Sequence, residues 1–128
     1  MSRHTHRSIT PKINRQLPRG RAGLRALDVA VELAGRVTAI RLPRGLSHLR
    51  DHLVRAADNT ALRLSEASGR TLGNRYQHLE AAYAENQEVQ SDLLLLGARD
   101  VEISGEVLRQ ADRLGGMIYG LLRAEARP

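Results

Sequence analysis

Seven cations and no acid occupy the first 25 residues: Arg3, Arg7, Lys12, Arg15, Arg19, Arg21 and Arg25. A guanidinium forks two hydrogen bonds onto one phosphate and keeps its charge at any ordinary pH. Each cation that neutralises a phosphate releases condensed counterion, so such a run predicts salt-dependent, sequence-independent binding of nucleic acid or another polyanion. In a chain with 19 Arg and one Lys, the same run also reads as a solubilising tail. The other 13 cations are set against all 14 Asp and Glu, so the body is nearly neutral while the whole chain carries +6. The charge belongs to the arm.

Arg55, Arg63, Arg70 and Arg75 extend the candidate phosphate-binding surface, with Asp51, Asp58 and Glu66 at helical spacing as counterweights. The alternative reading of that stretch is a solvated charged face. His48 and His52 stand one helical turn apart, a spacing that can hold a metal. Asp51 points away from them, however, and the Glu-x-x-His pairs of dinuclear carboxylate bundles do not occur. Without cysteine there are no disulfides, thiolate zinc sites or cysteine nucleophiles, and a reducing cytoplasm fits. Lys12 is outside any Gly-Lys-Ser or Gly-Lys-Thr context, and no nucleophile elbow organises the Ser, His and Asp residues. The expectation is a protein that is not an enzyme, with no catalytic residue, no metal and no cofactor. Tyr76, Tyr83 and Tyr119 are the only aromatics, which leaves little for the stacking platforms of common RNA-binding modules.

The elements that must position these residues are helical. Residues 1–22, with Pro11, Pro18 and Gly20 and no sustained period, read as a flexible basic arm, and residues 23–128 as the folded domain. From Leu24 to about Arg41, Leu24, Leu27, Val31, Ala34 and Val37 mark one face of an amphipathic helix, closed by Leu42-Pro43-Arg44-Gly45. A second helix runs from about Leu46 to Ala67, with Leu46, Leu49, Leu53, Ala56, Thr60 and Leu64 inward and His48, His52, Arg55, Asn59 and Arg63 on a polar stripe. After a breaker cluster at residues 68–74, Tyr76, Leu79, Tyr83, Asn86, Val89, Leu93 and Leu96 carry a third helix that Gly97 closes. Ser104, with Glu106 in the first turn, caps a fourth whose face is Val107, Ala111, Leu114, Ile118 and Leu121. Four such helices on short connections predict an all-α, antiparallel up-down-up-down four-helix bundle. Asn86 on an inner seam suits a register-fixing role, and Gly116-x-x-x-Gly120 beside Gly115 suits close helix packing. No stretch approaches the ~18 to 20 continuous apolar residues of a membrane span, and the N-terminus lacks a signal-peptide h-region.

Arg55-Ala56-Ala57, Leu64, Glu66, Gly69-Arg70 and Tyr76 fall at spacings that resemble a known family, the four-helix-bundle proteins encoded in intervening sequences of 23S ribosomal RNA genes. Leu24, Ala30 and Leu33, Pro43, and Leu114-Gly115-Gly116-Met117-Ile118-Tyr119-Gly120-Leu121 extend the likeness over about residues 24 to 123. The chain departs from the family pattern at Arg63, Ala67, Leu27 and Glu85-Asn86. The resemblance implies a ring-shaped homopentamer with no assigned catalytic residues. A related branch comprises the accessory proteins of diversity-generating retroelements, which work with a reverse transcriptase and its template RNA through a basic surface.

Two functions follow as expectations. One is an oligomeric nucleic-acid-binding protein, RNA being the expected ligand, that uses the arm and the basic bundle surface. The other is a protein-interaction scaffold, as an accessory subunit of a reverse transcriptase would be.

Overall fold

A computed structural model describes residues 22–69 and 72–126. Its elements are α1 (Ala22–Thr38), α2 (Ser47–Ser68), α3 (Leu72–Ala98) and α4 (Gly105–Ala126), and no strand occurs among the described residues. Each helix packs on its sequence neighbour and α1 closes the ring against α4, while among the described residues the backbones of diagonal helices stay more than 8 Å apart. Antiparallel packing is evident in the contacts. His52 meets Asp92 while Glu66 meets His78 across α2 and α3. Asn86 meets Ala111 while Tyr83 meets Tyr119 across α3 and α4. Glu32 meets Gln110 while Arg36 meets Glu106 across α1 and α4. The protein is an antiparallel up-down-up-down four-helix bundle.

The core is aliphatic, with Leu33, Leu53, Leu64, Leu79, Leu93, Leu96, Leu114 and Ile118 fully buried. Burying each such side chain is worth roughly 1.5–3 kcal/mol relative to leaving it in water. The predicted inward residues of α2 and α4 are buried or half-buried as expected. On α1 the buried stripe is rotated, being Ala26, Leu27, Val29, Ala30, Leu33 and Val37, with Val31 and Ala34 half-buried. Squeezed between α2 and α4, α1 buries a wide arc, and alanines on it let both neighbours approach.

Three boundaries differ from the sequence expectation. First, α1 stops at Thr38 rather than about Arg41, because Arg50 of α2 donates 2.7 Å hydrogen bonds to the carbonyls of both Thr38 and Ile40. Ile40 and Leu42 then fold back half-buried on the core, and Gly45 at φ 91° turns the chain into α2. Second, α3 begins at Leu72, inside the expected breaker cluster. Arg75 in its first turn donates to the Ala67 carbonyl of α2 and to Glu125 of α4, tying three helix ends together. Third, Gly97 does not close α3. The closing residue is Asp100, at φ 64°, with the Val101 N–H on the Leu96 carbonyl and the Asp100 N–H on the Gly97 carbonyl. This Schellman arrangement brings Val101 against buried Leu96, an apolar pairing that fixes where the left-handed residue falls. The expected cap of α4 is present, with Ser104 Oγ accepting from the Val107 N–H at 3.1 Å.

Candidate functional site

Of the sequence-predicted cations, Arg3, Arg7, Lys12, Arg15, Arg19, Arg21 and Arg70 lie outside the described residues, as does nearly all of the predicted arm. Arg25 is exposed on the first turns of α1. Arg55 and Arg63 are exposed on α2, along the polar stripe that also holds His48, His52 and Asn59. Arg75 is largely withdrawn from solvent and held 2.9 Å from Glu125. Its guanidinium serves the packing of helix ends.

The polar stripe of α2 faces a stripe of carboxylates on α3 that the sequence reading did not pair with it. His52 Nδ1 is 2.6 Å from the Asp92 carboxylate, and its Nε2 is 3.7 Å from Glu88. Asp92 is buried, and leaving a carboxylate there without a partner would carry a large desolvation cost. The hydrogen bond to Asp92 and the charge behind it raise the His52 pKa, with Glu88 adding to the effect and Arg55 opposing it. One turn further, desolvation raises the Glu85 pKa and Glu88 adds repulsion, while Arg63, Arg55 and a hydrogen bond with Asn59 pull it back. At the far end Glu66 accepts from Arg63 at 3.4 Å and sits 3.1 Å from His78 Nδ1. Glu66, expected from its spacing as a counterweight to the arginines of α2, therefore also braces α2 against α3.

A His–Asp pair can orient a general base, but here the second ring nitrogen faces another carboxylate rather than a hydroxyl. The arrangement favours a doubly protonated imidazole clamped between two helices. Among the described residues no three His, Asp or Glu side chains converge as metal ligands. No described helix is long and apolar enough to cross a membrane.

A second polar cluster lies in the core. Asn86, fully buried, donates from Nδ2 to the Ala111 carbonyl at 3.3 Å and accepts from Gln90 Nε2 at 2.7 Å. Gly115 makes this possible: a Cβ there would stand 2.8 Å from Asn86 Oδ1 and 3.0 Å from Gln90 Nε2. The Gly116-x-x-x-Gly120 spacing suits close packing between helices or subunits. Both of those glycines are exposed with nothing within 4 Å of a Cβ, so among the described residues the close approach of another helix is at Gly115. No protein-family model, curated protein or solved structure matches the chain.

Proposed function

We propose that this protein binds nucleic acid, RNA in the first instance, through its N-terminal cations, and that it does so as an assembly of copies rather than as an enzyme. The observation that carries the reading is the segregation of charge: seven cations without an acid in residues 1–25, on a body whose cations and acids nearly cancel. The bundle deepens that contrast. Arg36, Arg63 and Arg75 are ion-paired and Arg50 is spent on backbone carbonyls, so the arm is the larger uncompensated source of positive charge. Assembly would multiply weak arm contacts by raising their effective concentration. Leu94, Leu95 and Leu108 support it. Leu94 follows Tyr83 by three helical turns and Leu108 precedes Tyr119 by three, which places both leucines on the seam of the contacting tyrosines, yet they are exposed.

Those leucines also favour the second reading, a scaffold that docks a protein partner such as the reverse transcriptase implied by the family resemblance. Deleting residues 1–22 and titrating a fluorescein-labelled single-stranded RNA at several salt concentrations separates the two. Loss of the six cations there should cost most of the affinity and lower the log–log salt slope by about 4, at ~0.7 per phosphate released. Undiminished binding by the shortened chain, with helicity and light-scattering mass unchanged, would overturn the arm as the binding element.

A further inference from the structure

We infer that the outer face of α4 is a binding platform for single-stranded nucleic acid, carried by Arg109, Arg113 and Arg123 with Tyr119. The inference rests on the nucleic-acid reading above and assigns it a second surface, on the folded body. At 100° per residue the three arginines fall within an arc of about 80°, and they span roughly 21 Å of helix. Two of them form no ion pair among the described residues. Arg109 and Arg113 are exposed, while Glu32 and Glu106 both turn to Arg36. They line a groove of about 400 Å³ between α1 and α4 together with Glu32, Arg36, Glu106 and Gln110, so three arginines face two carboxylates there; Asp112, exposed on α4, is the acid nearest the rest of the face.

Arg109 lays its guanidinium over the first turn of α4, where a Cβ on Gly105 would come within 3.1 Å of Nη1. Its charge therefore adds to the positive end of the helix dipole, which is unfavourable for the isolated protein and attractive to an anion. Arg123 supplies the third charge and lies 5.9 Å from the centre of the Tyr119 ring. Tyr119 is 51% exposed, with Tyr83 bracing it at 6.1 Å between ring centres. A braced, exposed ring beside guanidinium groups is what sequence-tolerant recognition of unpaired bases requires, because every base has a face to stack. Bases paired within a duplex do not offer that face. Between the arginines, Gly116 and Gly120 leave the helix surface free of side chains.

The test uses the full chain with a fluorescein-labelled oligouridine and a duplex of equal length. Arg109→Ala/Arg113→Ala/Arg123→Ala should lower the salt slope for oligouridine by about 2, at ~0.7 per contact. Tyr119→Leu, which keeps the apolar contact with Tyr83, should weaken oligouridine roughly ten-fold and leave the duplex unchanged, while Tyr119→Phe restores binding. Arg99→Ala, an exposed arginine outside this face, should change nothing. If these variants match the parent while arm deletion weakens binding, the platform is overturned and the arm reading stands. If the full chain binds neither probe, both fall.

Discussion

His52 is a titratable link between two helices. Its folded-state pKa is raised, first by the hydrogen bond to Asp92 and then by that residue's charge. A raised basic group contributes stability that is fully present below its unfolded pKa of about 6.5 and is lost as pH rises through the folded value. Asn at this position keeps a donor near the Nδ1 site without the charge. The parent should therefore melt above His52→Asn near pH 5.5, and the gap should narrow as pH climbs past the folded pKa. A gap independent of pH would mean that only the hydrogen bond matters. Gly115 and Gly116 make a second contrast at this scale. Gly115→Ala gains about 1 kcal/mol of helix propensity but displaces Asn86, whose buried amide costs ~1–3 kcal/mol when left unpaired. Gly116→Ala meets nothing and should gain about 0.5–1 kcal/mol. Thermal denaturation of the pair should move in opposite directions. The sequence displayed all these residues, but which glycine faces the core depends on a rotation of α4 that periodicity alone leaves uncertain by one position. His52 and Asp92 are 40 residues apart, so their meeting depends on the register of two packed helices.

Elements were more legible than sites. The stripes Leu49-Leu53-Ala56-Thr60-Leu64 and Val107-Ala111-Leu114-Ile118 could be read because apolar residues at spacings of three and four have one stable burial, against other helices. Ends were harder where tertiary contacts override local punctuation. Arg50 ends α1 early, Arg75 helps extend α3 backwards, and Leu96 with Val101 moves its close to Asp100. Ser104 needs no such help, since its cap is local. Replacing it with Ala removes the acceptor for the Val107 N–H and should cost about 1 kcal/mol in chemical denaturation. An unchanged midpoint would show that water or a shifted first turn replaces the cap.

For the molecule as a whole, the up-down-up-down bundle was visible in composition, period and short connections, while the uneven extent of the four seams came only with the structure. That unevenness has a mechanical consequence. The N-terminal cations join the bundle at α1, and α1 is held by α2 and by the seam with α4, the sparsest of the four. Tension applied to the two ends enters α1 and α4, which share that sparsest seam, while α2 and α3 share the most extensive one. In single-molecule pulling between residue 1 and residue 128, the α1–α4 seam should part first, at a force below that which separates α2 from α3. A single all-or-none rupture would instead mean that the ring of four fails as one unit. Load applied across the two ends would therefore fall on the α1–α4 seam before the rest, giving the bundle a built-in fuse.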